Sequence, residues 1–372
     1  MPLIQIKKVE NKSDLKKFIM FPYTLYKNEQ HWVPPLISEI EKFLDRGRGP
    51  FFEIGEAEYF LAFINDEVVG RISAHINHQW NNHFNDQKGF YGFFESIDNL
   101  EVSNLLFSTA EQWLKNKGSD GILGPLSFSI YDEVALLVDG FDSDPAIMQA
   151  YNPPYYINLT ETYGFKKTID WYAYLRTDQV PLRPTFLKIR ERTLNQTGVK
   201  IRNINMKKFD QETKIIQDIF NSAWSDNWGH LPLTDKQFNY LIENLKFLID
   251  PRIVFIVEKD TIPIGFSISI PDANPALKKA KGHLYPFGII KIMGELKKIK
   301  KLRTLILGVK KEYRGKGIDI VLLVDTIQGG IAAGYKESDC SLIAENNIPI
   351  RKAMESIGAE IYRTYRLYEK PI

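Results

Sequence analysis

The chain carries the same order of strands, turns and glycines twice, about 195 residues apart. In each half an apolar strand, a two-residue turn and a second strand follow one another, and the second strand contains Gly70 in the first half and Gly265 in the second. A later pair of glycines, Gly164 and Gly358, is 194 residues apart. Because two separate anchors give nearly the same offset, the sequence predicts an internal duplication.

Each half alternates between strand and helix patterns, which predicts an α/β fold. One example is residues 102–117, where apolar residues recur at helical spacing until Gly118. We expect two tandem domains at residues 1–178 and 191–372, each with a mixed, mostly antiparallel sheet flanked by helices. The Pro-containing stretch 179–190 is predicted to be the linker.

Composition excludes several classes of protein. The net charge of +2 gives no general case for nucleic-acid binding, and one cysteine, Cys340, allows neither a disulfide framework nor a cysteine-based zinc site. No apolar run approaches the ~20 residues of a spanning helix, and the first residues lack a signal-peptide core. We therefore expect a cytoplasmic protein without an integral membrane segment. His75, His78, His83 and Asp86 invite a metal interpretation, but His75 and His78 would lie on opposite faces of a strand, so no metal is expected.

Residues 309–319 carry the motif with the clearest chemistry. They read Val-Lys-Lys-Glu-Tyr-Arg-Gly-Lys-Gly-Ile-Asp, after an apolar strand and before a predicted helix. Gly315 and Gly317 permit a tight turn, and free N–H groups at the start of a helix bind phosphate. The glycine spacing fits neither the Rossmann fingerprint nor a Walker loop.

This motif, with Asn346-Asn347 and Gly358 downstream, resembles the coenzyme site of the GCN5-related N-acetyltransferase (GNAT) superfamily, and the whole chain resembles its tandem-domain members. The resemblance covers residues 200–372 well and the first half weakly. It implies that a strand pairs with the pantetheine arm and that loop amides hold the pyrophosphate. The implied coenzyme contacts are Leu307, Gly308 and Val309 on the strand, Arg314, Gly315, Lys316, Gly317 and Ile318 in the loop, and Asn347 beyond it.

Two positions depart from the family's pattern. Asp319 stands where Gly or Ala is usual, so a carboxylate is expected near the phosphates. Met354 replaces a tyrosine that often protonates the leaving thiolate, although a thiol of low pKa leaves without an acid. In the first half, residues 93–98 lack the glycine pair, and no coenzyme is expected there.

The first half offers carboxylates for catalysis and aromatic residues for substrate binding. Glu95, Asp132 and Glu133 are the candidate general bases for an attacking amine. Residues 124–150 form an insertion that either lines a substrate pocket or packs as a rigid loop. The candidate substrate-binding residues are Tyr151, Asn152, Tyr155 and Trp228.

A second insertion, residues 275–303, is strongly basic. It holds eight Lys and Arg303 against one Glu, a net charge of +8 that leaves the rest of the chain at −6. Ile289, Ile292 and Met293 fall at helical spacing, which predicts an amphipathic helix with a basic face. The segment is either a solvated flank of a packed helix or a docking site for an acidic acyl carrier protein or an anionic membrane surface.

The resemblance implies transfer of an acetyl group from acetyl-coenzyme A to a primary amine, either on a small molecule or on a peptide. Two alternatives stay open: transfer of a longer acyl chain from coenzyme A or an acyl carrier protein, and a non-catalytic protein that binds a metabolite.

Overall fold

The structure, a computed structural model, describes residues 3–224, 227–284 and 288–372, without the side chain of Lys291. The chain divides into two compact units, neither of which is one continuous stretch. Unit 1 comprises Met1–Trp171, Ala276–Ile292 and Arg363–Ile372, and unit 2 comprises Tyr172–Pro275 and Met293–Tyr362.

The elements follow the alternation that the sequence predicts. The first part of the chain contains β1 (Ile4–Lys8), α1 (Lys12–Leu25), α2 (Ile37–Leu44), β2 (Gly55–Ile64), β3 (Glu67–Asn77), α3 (His78–Phe84), β4 (Lys88–Ser96), α4 (Leu100–Asn116), β5 (Gly121–Gly124), β6 (Leu136–Asp139), α5 (Tyr155–Thr162) and β7 (Lys166–Thr177). The second part contains α6 (Pro184–Thr197), β8 (Lys200–Asn203), α7 (Phe209–Ala223), α8 (Asp235–Leu245), β9 (Val254–Lys259), β10 (Ile262–Pro271), α9 (Asn274–Ala280), α10 (Gly288–Leu296), β11 (Lys301–Val309), α11 (Ile318–Ala332), β12 (Glu337–Ala344), α12 (Ile348–Ser356) and β13 (Glu360–Pro371).

In unit 1 the strands β1, β2, β3 and β4 are antiparallel neighbours. Strand β5 runs parallel to β4 and antiparallel to the end of β13. Helix α4 packs on β3 because Val102, Leu106, Ala110 and Leu114, spaced four residues apart, are all buried. Asn99 caps this helix by accepting hydrogen bonds from the first-turn N–H groups.

Unit 2 repeats this arrangement. Strands β8, β9, β10 and β11 are antiparallel neighbours, and β12 runs parallel to β11. A Cβ on Gly265 would face Leu322 of α11, whereas a Cβ on Gly308 would face Trp224 at the end of α7. Phe266 pairs with Gly308, so these two residues share a face and Gly265 points to the other. Helices α11 and α7 therefore cover opposite faces of this sheet.

The two hairpin turns show the duplication in the backbone. Asn65 and Asp66 between β2 and β3 both have positive φ, as do Asp260 and Thr261 between β9 and β10. Two successive positive φ angles match the right-handed twist of the flanking strands. The predicted α/β fold with mixed, mostly antiparallel sheets is thus confirmed.

Among the helices of the described residues, none combines the length and the apolar composition that crossing a membrane requires. In the same part of the chain, no three His, Cys, Asp or Glu side chains cluster as they would around a metal ion.

His75 lies on β3 inside a cage of phenyl rings. It is fully buried, and the centroid of its ring lies 5.3–5.6 Å from those of Phe51, Phe90 and Phe128. In the described part of the chain neither of its ring nitrogens has a hydrogen-bond partner. Burial alone lowers the pKa of His75 to about 3.

Because native His75 stays neutral while the unfolded chain binds a proton below pH ~6.5, acid favours unfolding. The stability tied to neutral His75 is full above pH ~6.5 and is lost progressively toward pH 3. Between pH 7 and pH 5 the free energy of unfolding should fall by ~2 kcal/mol more in the wild type than in His75→Leu. Urea denaturation at both pH values measures this. His83→Leu, at an exposed histidine, should retain the wild-type difference, and an unchanged pH dependence in His75→Leu would contradict the assignment.

Candidate functional site

Strand β11 separates from β12 halfway along its length. The two strands pair from Lys301 to Thr304 on β11, whereas β11 stays paired with β10 up to Val309. Leu305 has no partner on β10 because the register shifts there, which makes it a β-bulge. A bulge bends a strand and increases its twist. The backbone of β11 beyond Leu305 is therefore turned away from β12 and leaves an open strand edge.

Hydroxyl groups tie the strands together just before the separation. The Thr304 hydroxyl lies 3.0 Å from that of Ser269 on β10 and 3.2 Å from that of Ser338 on β12. On β10, Ser267 accepts a hydrogen bond from Thr326 of α11 at 2.7 Å. These contacts fix the point at which the gap between β11 and β12 opens.

The glycine loop connects the open end of β11 to α11. Gly315 and Gly317 have φ angles of +71° and +79°, a region that favours glycine. Gly317 is also the N-cap of α11, so no side chain caps the first-turn N–H groups. Uncapped N–H groups and the positive end of the helix dipole make this turn suited to an anion. Asp319 lies exposed in the same turn.

The two cations of the loop shape its backbone. The Arg314 guanidinium donates to the carbonyls of Val309 and Ala223. The Lys316 ammonium donates to the carbonyl of Glu312 at 2.9 Å and lies 5.1 Å from the centroid of the Tyr313 ring. Both side chains thus hold the loop in place while their charge remains near the start of α11.

Position 308 requires glycine because Trp224 lies close to its backbone, a contact that the sequence does not reveal. A Cβ at this position would lie 2.5 Å from the indole of Trp224, which stacks on Phe220 with centroids 5.1 Å apart. The resemblance assigns Gly308 to the pantetheine strand, and the structure adds the contact of this position with Trp224. A glycine in the middle of an apolar strand was the available signal, because such a residue often marks a close contact.

Apolar side chains from several elements, including β11 and β12, pack together in unit 2. Leu307 and Ile343 are partly buried and pack, with Phe186, against a core that includes Met354. Met354, which stands where the resemblance implies a tyrosine, is only 7% exposed. Asn347 is the N-cap of α12, and its carbonyl accepts the N–H of Arg351.

The corresponding gap in unit 1 is filled by the chain itself. Strand β4 pairs with β5 only from Lys88 to Phe90, and its register with β3 also shifts near Phe93. Beyond this pairing, the N–H of Leu126 donates to the carbonyl of Tyr91 at 2.8 Å. Gly92 leaves room for that segment, because a Cβ there would lie 1.9 Å from the carbonyl oxygen of Leu126. The space that is open in unit 2 is therefore closed in unit 1.

The three candidate carboxylates of unit 1 have different surroundings. Glu95 accepts hydrogen bonds from Tyr26 and Tyr156 and lies 3.6 Å from Arg71, and burial raises its pKa despite these partners. Asp132 accepts a hydrogen bond from Ser129 at 2.6 Å, and burial raises its pKa to about 7.

Glu133 reaches solvent although protein atoms crowd around it. Desolvation, followed by the nearby charge of Glu95, raises its pKa to about 7, while the charge of Arg71 opposes the rise. Glu133 is thus the accessible member of the three.

The candidate substrate residues do not share one environment. Tyr151 is half-buried, with its ring 6.2 Å from that of Tyr26. Tyr155 donates to the carbonyl of Ser96 at 2.8 Å. The Asn152 amide bonds to both the N–H and the carbonyl of Leu137, so it holds the start of β6. Trp228 lies half-buried in unit 2, between α7 and α8.

Two bacterial proteins are similar to this chain over nearly its whole length. Protein YghO of Escherichia coli (strain K12) is 35% identical over 371 residues, which cover 97% of this chain and 94% of that protein. The bacterial ceramide synthase of Caulobacter vibrioides is 33% identical over 371 residues, which cover 98% and 96% of the two chains. This chain belongs to the same family as these two proteins. The sequence matches no protein-family model.

Among solved structures, a tandem GNAT protein from the clavulanic acid biosynthesis pathway matches with a TM-score of 0.58 at 10% identity. The match covers 99% of this chain and 98% of that one. At this identity the likeness concerns the fold. It confirms the tandem GNAT architecture that the motif and the duplication predict.

If the loop holds the pyrophosphate of coenzyme A, as the resemblance implies, replacing Gly315 by Ala should weaken binding of coenzyme A by about tenfold to hundredfold. The added Cβ meets no protein atom within 4 Å, but the positive φ disfavours Ala, so the substitution should alter the loop backbone that presents the amides. Gly315 is a better position for this test than Gly317, because a Cβ on Gly317 would also lie 2.5 Å from the Thr193 hydroxyl oxygen. Isothermal titration with coenzyme A measures the affinity.

Gly198→Ala is the matched control. Gly198 ends α6 with a φ of +68°, and its Cβ would likewise meet nothing within 4 Å. Both variants should lose similar stability, but only Gly315→Ala should lose affinity. Equal affinities of the two variants would contradict an anion site at the loop.

Proposed function

We propose that this protein is an N-acyltransferase that moves an acyl group from a coenzyme A thioester to a primary amine. The observation that carries the proposal is the separation of β11 from β12 at the Leu305 bulge, next to a glycine loop with uncapped amides. An open strand edge suits the amide-bearing pantetheine arm, and the loop suits its pyrophosphate. The residues proposed to hold the coenzyme are those that the resemblance implies, from Leu307 to Val309, from Arg314 to Ile318, and Asn347.

In the proposed reaction the amine nitrogen attacks the thioester carbonyl. Backbone N–H groups near Gly308 and Val309 stabilise the negative charge that develops on the carbonyl oxygen. The C–S bond then breaks, the thiolate leaves, and a base takes the proton of the amine. No acid is required for the leaving group, since a thiol, with a pKa of about 8.5 for free cysteine, is acidic enough to leave as its thiolate. A buried Met354 is compatible with this chemistry.

We infer that Glu133 is the best candidate for the general base among the three proposed carboxylates. A general base works best with a pKa near the working pH and with access to the reactant. Glu133 has a pKa of about 7 and reaches solvent. Glu95 is less suitable, because two tyrosine hydroxyls and Arg71 occupy its oxygens.

The size of the acyl group is proposed from the relative's name and the apolar lining. Ceramide is an amide between a fatty acid and a long-chain amino alcohol, and a family member carries the name bacterial ceramide synthase. Leu307, Ile343 and Phe186 supply the apolar contacts that a long chain needs. We therefore favour a long-chain acyl thioester and a long-chain 2-amino alcohol, with acetyl transfer as the shorter alternative.

A series of acyl-coenzyme A donors from acetyl to palmitoyl tests the donor. With a long-chain 2-amino alcohol as acceptor, kcat/KM should rise by at least about tenfold between the two ends of the series, because each buried methylene adds binding energy. Thiol release and mass spectrometry of the amide product measure it. A maximum at acetyl would identify the shorter alternative. Thioester binding without turnover for any amine would instead show a non-catalytic protein.

Glu133→Gln should lower kcat/KM by about a hundredfold at pH 8. In the wild type, only the deprotonated carboxylate accepts a proton, so activity should rise up to pH 7 and level off above it. The variant should lose this inflection while its affinity for the thioester stays unchanged. Glu56→Gln, at an exposed carboxylate of β2, is the control and should keep the wild-type profile. A retained inflection in Glu133→Gln would assign the base elsewhere.

A further inference from the structure

Helix α10 presents apolar side chains on its outward side. Ile289, Ile290 and Met293 are 41%, 66% and 62% exposed, and they share one face of the helix with the exposed Gly294. A helix on the surface of a globular protein normally turns its polar face outward. The outward face of α10 is therefore the reverse of that pattern.

The opposite side of the same insertion is firmly packed. Ile292 is only 5% exposed, and the N–H of Ile37 donates to the carbonyl of Gly282 at 3.0 Å. Lys278 of α9 pairs with Asp144 at 2.6 Å. The segment is thus anchored through its inner side, and the three outward apolar residues are not needed for that packing.

Lysines follow directly after the apolar face. Lys297, Lys298 and Lys300 are exposed beyond the end of α10, and Lys281 is exposed after α9. They belong to the segment with a net charge of +8 in a chain whose remainder is at −6. Among the described side chains of this segment, the outward face of α10 is apolar and these lysines flank it, whereas the side chain of Lys291, on which the predicted basic face also depends, lies outside the described residues.

We propose that the α10 surface, formed by Ile289, Ile290, Met293, Lys297, Lys298 and Lys300, binds an anionic lipid membrane. The apolar side chains would enter the boundary between headgroups and acyl chains, and the lysines would contact anionic headgroups. An acidic protein would satisfy the lysines, but three large apolar side chains on the outward face, among the described side chains of α10, are suited to the boundary between headgroups and acyl chains. The proposal does not require acyltransferase activity.

Vesicle co-sedimentation of the full-length protein without a thioester tests the proposal. Binding should be strong to phosphatidylcholine vesicles with about one-third phosphatidylglycerol and weak to phosphatidylcholine alone. Since lysines contribute through charge, about 0.5 M salt should weaken binding. The double variant Ile290→Ser/Met293→Ser and the triple variant Lys297→Gln/Lys298→Gln/Lys300→Gln should each bind at least about tenfold more weakly.

Matched controls distinguish binding through the α10 surface from non-specific hydrophobic binding and from an effect of net charge. Ile262→Ser changes another exposed isoleucine, at the start of β10, and should bind vesicles like the wild type. The triple variant Lys207→Gln/Lys208→Gln/Lys214→Gln removes the same charge from an exposed region before and within α7, and it should also bind normally.

Either of two results would overturn the proposal. One is a wild type that does not bind anionic vesicles at low salt. The other is vesicle binding that the α10 variants retain. If the wild type instead binds an acidic acyl carrier protein and no vesicle, the partner is a protein and the membrane assignment is wrong. Failure of the acyltransferase assays would leave vesicle binding unaffected, so the two proposals fail separately.

Discussion

The separation of β11 from β12 after Thr304 is the constraint on which the site in unit 2 depends. The hydroxyl contacts of Thr304 with Ser269 and Ser338 hold the strands together up to this point, and the bulge at Leu305 turns the next residues away. A strand with an unpaired edge presents backbone N–H and C=O groups that can form hydrogen bonds with a ligand. The glycine loop follows at the end of that edge, so a strand-pairing ligand with a terminal anion fits both features.

The two units share one architecture and differ at the gap beside the central strand. Both central strands, β4 and β11, carry a register shift and part from a parallel neighbour. In unit 1 the chain itself bonds to the free edge through Leu126 and Tyr91. Filling the gap with a neighbouring segment satisfies the same backbone groups that a ligand would satisfy. The insertion thereby brings Glu133 close enough to Glu95 of β4 for their charges to interact.

The two sides of the basic insertion have different chemistry. Its inner side is fixed by packing and by the Lys278–Asp144 ion pair, whereas its outer side exposes Ile290 and Met293. A membrane surface bearing long-chain substrates is consistent with the long-chain donor and acceptor proposed above. The membrane proposal and the acyltransferase proposal agree only in the lipid chemistry of their ligands, since each is tested by an experiment that does not depend on the other.

The sequence by itself determined the duplication, the strand and helix order and the glycine loop, because these follow from local patterns: apolar periodicity, turn residues and glycines that need positive φ. The approach of Trp224 to Gly308, the closure of the unit 1 gap by residues 126–134 and the caging of His75 were decided only by tertiary structure. The same holds for α10, where periodicity identified a helix with apolar residues but could not say which of them would be covered. Contacts between residues far apart in the chain depend on the packing of whole elements, and no local pattern encodes which partner a side chain meets.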